Sequence, residues 1–408
     1  MAQYTEEAYR YRWVILIVLW TTYLVVFLNR LSVGPLAPFF KEELEISNAQ
    51  VGLVMSAAAI GYVVTQFPTG WVVDRIGARW PLSTGTTIAG ISMVALFFVP
   101  SYTWLLVLMF ATGMGCGFLQ PSTTQGVIIW FPQRERATVM SLKQTAVNIG
   151  GMITAVTLPA VAIALGWRFG FLFLGIIAIA IGVIAFIFYK EPPSQTVLNP
   201  QVSANSPTAV PMLDILKNRD IWLVSIAALL LAWVEFTTIA HLVLYLKEVL
   251  IYPVVLAGGL LAMVEAAGAI GRPGIGFISD RVYRGKRKSI FILLAIVAST
   301  MCLILGLLGP YLVSWLLYFI LFLLGIAAIG WGGIYLTLVS ELGGRHGAGK
   351  AAGMSASVGT CGIIIGPPVF GYIVDLTGSY ALAWSSLSFV AALCVLLLFF
   401  VNEDKRKI

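Results

Sequence analysis

The sequence predicts an all-α membrane protein: twelve transmembrane helices in two pseudo-symmetric six-helix bundles, with both termini cytoplasmic. Three observations predict it. Of 408 residues, 59% are hydrophobic and only 11% are charged, more apolar surface than a soluble domain of this length can hide. Twelve apolar runs have spanning length, and Lys and Arg gather on alternate loops. The two halves of the chain also align with each other.

The runs lie at about 13–40, 49–73, 80–99, 103–131, 137–165, 168–189, 221–246, 253–278, 288–309, 312–340, 350–375 and 380–401. The segment Met1 to Arg12 is short and polar with no cleavage motif, so the first run is expected to be a span, not a signal peptide. Between the sixth and seventh runs, Lys190 to Asp220 carries Pro192, Pro193, Pro200, Pro207 and Pro211 among Ser, Asn and Gln. That composition predicts a solvated linker, 190–220, between an N-terminal bundle 1–189 and a C-terminal bundle 221–408.

Placing both termini and the linker on one side puts 19 of the 25 Lys and Arg there. Only Lys41, Arg168 and Lys247 fall opposite, and Arg30, Lys143 and Arg272 fall within spans. The basic side is therefore expected to be cytoplasmic, and the net charge of +7 reports topology in an inner (plasma) membrane, not a nucleic-acid partner. Cys116, Cys302, Cys361 and Cys394 lie in apolar runs without paired spacing, which predicts neither disulfides nor a metal site. No Ser/His/Asp arrangement, phosphate loop or appended soluble domain supports catalysis or signalling, and no cofactor is expected.

The internal repeat is carried by charged turns. Gly70-Trp71-Val72-Val73-Asp74-Arg75-Ile76-Gly77-Ala78-Arg79 returns 206 positions later as Gly276-Phe277-Ile278-Ser279-Asp280-Arg281. Phe40-Lys41-Glu42 matches Leu246-Lys247-Glu248 at the same spacing, while Gly113 matches Gly325, Gly166 matches Gly378 and Glu191 matches Glu403 at 212. The slip of six falls near the loop Val282 to Lys288. Gly70 and Gly276 are expected to let helices approach closely, and Asp74 and Asp280 to accept hydrogen bonds from a neighbouring helix N-terminus. Asp74, Arg75, Asp280 and Arg281 are thereby candidates for gating, the alternative being helix ends that only fix topology.

With its surroundings, the first copy of this turn resembles the signature loop between helices 2 and 3 of the major facilitator superfamily of secondary transporters. The resemblance covers essentially the whole chain and implies alternating access between two six-helix halves.

Ionisable residues inside spans are costly and point to function. Arg30, within Phe27-Leu28-Asn29-Arg30-Leu31-Ser32, offers a planar fork suited to an anionic substrate group; an internal ion pair is the alternative. Glu265 and Arg272 lie seven residues apart on one face of helix 8, where a protonated Glu265 would free Arg272 for an anion. The bland alternative is that they lock that helix in place. Glu235, near the middle of helix 7, is a second candidate proton carrier, against permanent pairing with Arg30. His241 is expected to be a packing residue. Lys143 sits near enough to the end of helix 5 to snorkel out, and is a secondary candidate. Gln120 could hydrogen-bond a substrate and Trp331 could pack on it, with helix packing as the alternative for the tryptophan.

Within the superfamily, Asn29-Arg30-Leu31-Ser32-Val33 with Pro35 and Pro38, and Trp130-Phe131-Pro132-Gln133-Arg134-Glu135-Arg136-Ala137, look like the organic-anion symporter and organophosphate permease branch. That resemblance implies that Arg30 binds the anionic group of the substrate. Arg272-Pro273 is similar to a helix 8 pair of monocarboxylate and oxalate carriers, which implies the same part for Arg272. The acidic residues that symporters of the branch carry before the helix 1 arginine and on helix 4 are here Asn29 and Cys116, which leaves Glu235 and Glu265 as proton sites. Where phosphate exchangers carry a helix 7 arginine stand Glu235 and Phe236, which disfavours phosphate antiport. The expectation is a monomeric symporter, coupled to protons or sodium, for a mono- or dicarboxylate or sugar acid. The alternative is a proton-driven exporter of amphipathic drugs or metabolites.

Overall fold

A computed structural model describes residues 6–191, 212–283 and 286–403, so most of the linker 190–220 lies outside the described residues. Among the described residues, twelve helices are long and apolar enough to cross a membrane: α1 Arg10–Glu43, α2 Asn48–Ile76, α3 Arg79–Phe98, α4 Tyr102–Trp130, α5 Thr138–Leu165, α6 Trp167–Phe188, α7 Arg219–Glu248, α8 Val254–Arg281, α9 Arg287–Tyr311, α10 Ser314–Gly344, α11 Gly347–Thr377 and α12 Tyr380–Phe399. No β-strand occurs among the described residues. Each helix closes its own backbone hydrogen bonds, as lipid requires, and each falls on one of the apolar runs of the sequence.

Three of these spans are interrupted, and the sequence says why. In α1 the helix Glu6–Leu31 gives way at Ser32 to a second, Val33–Glu43. Pro35 has no N–H for the Leu31 carbonyl, so the turn there is loosened. In α4 the helices Tyr102–Gly117 and Leu119–Trp130 meet at Phe118, where Pro121 leaves the Gly117 carbonyl without a helical donor. In α10 the helix Ser314–Ile329 stops before Gly330 and Trp331, and helix resumes at Gly332. Phe118 and Gly330 are 212 positions apart, so the repeat preserves this break.

The chain divides into two compact units: Met1–Leu36 with Ala57–Ser206, and Ala37–Ser56 with Pro207–Ile408. In the first unit, α3 packs on α6 through Ser83, whose hydroxyl donates to the Gly182 carbonyl at 2.8 Å. Trp20 Nε1 of α1 donates to Thr145 Oγ1 of α5 at 3.0 Å. Gly113 of α4 lies so close to α2 that an added Cβ would sit 2.0 Å from the Ala58 carbonyl oxygen. The second unit repeats this approach, because a Cβ on Gly325 of α10 would sit 2.3 Å from the Val264 carbonyl oxygen of α8. Ala58 and Val264 are themselves 206 apart, so both partners of the contact follow the repeat.

The charged turns depart from expectation. A Cβ on Gly70 or Gly276 would meet nothing within 4 Å, so neither glycine serves close helix approach here. The glycine the first turn requires is Gly77, at φ +81°, a conformation that L side chains rarely adopt. Nor do the aspartates cap the following helices. Glu191 Oε1 accepts from the Arg79 N–H at 3.0 Å, and Glu403 Oε1 accepts from the N–H groups of Arg287 at 2.6 Å and Lys288 at 3.2 Å. The glutamate that ends each sixth helix therefore anchors the start of the third helix of the same half, with its charge at the positive end of the helix dipole.

Candidate functional site

In the first unit, one face of α1 carries Tyr23, Phe27 and Arg30 at helical spacing. The Tyr23 and Phe27 rings meet edge to face, centroids 5.1 Å apart. Arg30 lies where the first segment of α1 ends, 8% exposed, with its guanidinium carbon 4.4 Å from the centroid of the Tyr62 ring and 5.5 Å from that of Phe27. At the other end of this aromatic row, Lys143 Nζ lies 4.3 Å from the Tyr23 ring centroid and donates to Thr123 Oγ1 at 3.1 Å. The Tyr23 hydroxyl donates to Gln120 Oε1 at 2.5 Å, just past the break in α4.

Lys143 does not snorkel. It is 1% exposed, held inward because α5 presents it to α4 and to the Tyr23 ring, and among the described residues no carboxylate pairs with it. Asn29 is fully buried, and neither its Oδ1 nor its Nδ2 has a hydrogen-bond partner among the described residues. An unsatisfied buried amide costs about 1–3 kcal/mol, so in a folded protein it calls for a physical reason. Cys116 packs its thiol toward the Val26 carbonyl of α1, 4.0 Å away.

The second unit has the opposite character. Glu265 of α8 is 2% exposed and stands within electrostatic range of both Glu235 and Arg272. Glu235 Oε2 accepts from Trp331 Nε1 at 3.1 Å. That indole stacks on Phe291, with centroids 6.1 Å apart and planes 8° from parallel. Arg272 Nε donates to the Ile329 carbonyl at 3.3 Å, which the break in α10 leaves without a helical partner. His241 is buried, with Nε2 donating to the Pro367 carbonyl at 2.9 Å.

The turn residues fall into two settings. Arg75 and Arg281 occupy repeat-equivalent positions and each covers a ring one turn back on its own helix, Trp71 at 3.6 Å and Phe277 at 5.0 Å. Asp280 is bridged to Arg287, whose guanidinium also donates to Ser279 Oγ at 2.8 Å and lies 3.6 Å from Glu341. Asp74 is exposed and has no polar partner among the described residues. Sequence reasoning did not find Arg287 or Glu341. Beyond the slip the spacing of 212 from Glu135 falls on Gly347 and not on Glu341, and Arg287 lies in the loop where the spacing slips, so neither residue was readable by offset.

The sequence model described as Major Facilitator Superfamily matches residues 19–362. A probable sulfoacetate transporter of Cupriavidus necator is 26% identical, covering 97% of this chain and 95% of its own length. A hexuronate transporter of Bacillus subtilis is 25% identical over 91% of this chain and 90% of its own. Among solved structures, a bacterial homolog of the human lysosomal transporter Spinster, captured inward-facing and occupied, superposes with a TM-score of 0.80 at 18% identity, over 96% of this chain and 97% of that one.

Proposed function

Because the chain belongs to the Major Facilitator Superfamily, and so is a multi-pass inner-membrane transporter and not an enzyme, we propose that it carries a small organic anion by proton-coupled symport. The substrate class is a mono- or dicarboxylate, a sugar acid or a sulfonate. The observation that carries this reading is the buried group in the first unit: Arg30 and Lys143 inside the apolar span region, with the unsatisfied Asn29 amide beside Arg30. The transporters of sulfoacetate and hexuronate among its relatives support the same class.

Each residue has a part. The Arg30 fork takes the anionic group in two parallel hydrogen bonds, while Asn29 and Gln120 supply hydrogen bonds to the remaining oxygens. Lys143 takes a second negative group where the substrate has one. In the second unit, Glu265 is the main proton site and Glu235 its neighbour. Protonation of Glu265 removes the negative charge that holds Arg272, which then becomes available to the anion, while Trp331 keeps Glu235 in place. Proton and substrate together bias a rocker-switch exchange between states open to either side, moving bundles 1–189 and 221–408 about the linker 190–220. The turns at Asp74, Arg75, Asp280 and Arg281 gate that exchange.

Uptake of labelled glucuronate and sulfoacetate into proteoliposomes under an imposed pH gradient tests the reading. Arg30→Gln is expected to lower uptake about 100-fold without loss of the folded protein, the scale of removing one partner from a buried charge pair. Glu265→Gln is expected to abolish the response to the gradient while leaving exchange of internal for external substrate. Undiminished uptake by Arg30→Gln would remove the anion site, and competition by cationic amphiphiles but by no carboxylate would favour the exporter.

A further inference from the structure

At one helix contact the two halves part company. In the first unit α3 and α4 meet on glycines: a Cβ on Gly85 would sit 2.7 Å from the Gly115 carbonyl oxygen, and one on Gly115 would sit 2.6 Å from the Gly85 carbonyl oxygen. The helix starts Arg79 and Arg287, each anchored by the glutamate that ends its own sixth helix, set a spacing of 208 for α3 and α9. On that spacing Gly85 becomes Leu293 and Ala89 becomes Val297, while Gly115 becomes Ala327 of α10 at the spacing of 212. Larger side chains stand where the first half has its seam, so α9 and α10 cannot close on each other as α3 and α4 do.

What opens there is a crevice of about 200 Å³, walled by Ile275 and Ile278 of α8, Leu293 and Val297 of α9, and Ile326 and Ala327 of α10. Every wall is aliphatic, so water would find no hydrogen-bond partner inside. Ile278 and Leu293 at its rim are exposed, as are Phe277 and Ile296 beside them, which puts the mouth on the apolar outer surface where lipid chains lie. Along α9 the lining runs from Ile290 to Val297, about 5 to 15 Å from the helix start at 1.5 Å per residue. That is acyl-chain depth beneath the turn that joins α8 to α9. In sequence, this turn and its flanks carry Arg281, Arg284, Lys286, Arg287 and Lys288, where the first half has Arg75 and Arg79. Arg287 and Lys288 are engaged by protein groups, whereas Arg281 and Lys286 are exposed.

We propose that the crevice seats one acyl chain of an anionic phospholipid, with the lipid phosphate against Arg281 and Lys286 at its mouth. The chain gains nothing by leaving water, because it comes from a bilayer as apolar as leucine. What it gains is contact, since an unfilled gap forfeits the dispersion attraction of its walls. A flexible chain follows a cleft that the two helices cannot close themselves. Any lipid tail could fill it, so selection falls to the headgroup, and basic side chains at the mouth favour one with net negative charge. The site lies within the second unit and touches none of the residues assigned to substrate or proton, so it stands or falls apart from the transport reading.

Photocrosslinking of the full chain in nanodiscs tests the site, using phosphatidylglycerol or phosphatidylcholine with a diazirine in one acyl chain and mapping adducts by peptide mass spectrometry. Phosphatidylglycerol is expected to label 290–297 and 323–327 about fivefold more than phosphatidylcholine does. The repeat-equivalent 82–89 and 111–115 should be labelled equally by both. Leu293→Trp, which fills the crevice from its rim, should lower labelling of 323–327 about tenfold. Ile278→Trp should do the same from the opposite wall, and serves should the first variant fail to fold. Arg281→Gln with Lys286→Gln should make the two lipids equal while leaving the crevice labelled. Equal labelling by both lipids in the wild type, undiminished labelling in the tryptophan variants, or displacement of the label by a cationic amphiphile and not by unlabelled phosphatidylglycerol would overturn the proposal.

Discussion

The first unit collects cations inside its helices and the second collects carboxylates, although both are built on one helical plan. Gly113 on Ala58 and Gly325 on Val264 are the same contact made twice, and Glu191 and Glu403 anchor equivalent helix starts. On that shared frame, Arg30 and Lys143 occupy aromatic settings in the first unit, whereas the second holds Glu265 and Glu235 with the single Arg272. The repeat governs positions where backbones touch, and there neither half can change without loss of packing. In the transport reading proposed above, positions that face the ligand are released from it, so that binding an anion and carrying a proton are divided between halves.

The sharpest test of the shared frame is at its glycines. Gly113→Val and Gly325→Val each force a side chain against a backbone carbonyl, which cannot move aside as a flexible side chain can. Overpacking of this kind costs about 1–3 kcal/mol, more where the backbone itself is in the way. Both variants are expected to lower the thermal unfolding midpoint in detergent by similar amounts, the largest stability losses among the changes considered. A tolerated valine at one site and not the other would break the equivalence of the halves at the place where it is tightest.

The difference in chemistry is probed by Lys143→Met, which keeps the length and removes the charge. Burying an uncompensated ammonium is costly, so the variant should be more stable than the wild type in the absence of ligand. Its uptake of a dianion such as succinate should fall about tenfold, close to 1.4 kcal/mol, while uptake of a monoanion such as gluconate should change little. Equal losses for both probes would mean that Lys143 supports the fold of the site and does not read a second charge.

These tests also separate what the sequence could reveal from what it could not. Twelve spans were legible because lipid leaves apolar length as the dominant signal, and Arg30, Glu265 and Arg272 stood out because charge is rare there. Lys143 was misjudged as a residue that reaches water, since distance along a helix does not reveal that Thr123 and Tyr23 close over it. Asp375 gave no signal at all: near the end of a span an aspartate looks like a solvated terminus, and its role exists only through the start of another helix, where it accepts from the Asn48 and Ala49 N–H groups. Gly70 and Gly276 misled in the opposite sense, because a small residue permits a close approach without causing one.

The turns give the finest comparison. Asp280 is held by an arginine that also bonds Ser279 and approaches Glu341, while Asp74, in the matching place, is exposed and without a polar partner among the described residues. The counterpart of Arg287 at the matching helix start of the first half is Arg79, but its Nε is given to the Phe186 carbonyl and not to the turn aspartate. Arg287→Ala should therefore lower stability by about 1 kcal/mol, since its strongest pair is partly exposed and screened, and Asp74→Asn should leave the unfolding midpoint unchanged. If Asp74→Asn nonetheless slows transport while Arg287→Ala, once stabilised by low temperature, does not, the first turn works in a state other than the one described and the second is a fixed brace. Equal effects of both on stability would instead mean that Asp74 has a partner in the folded protein after all, and the asymmetry of the turns would fall.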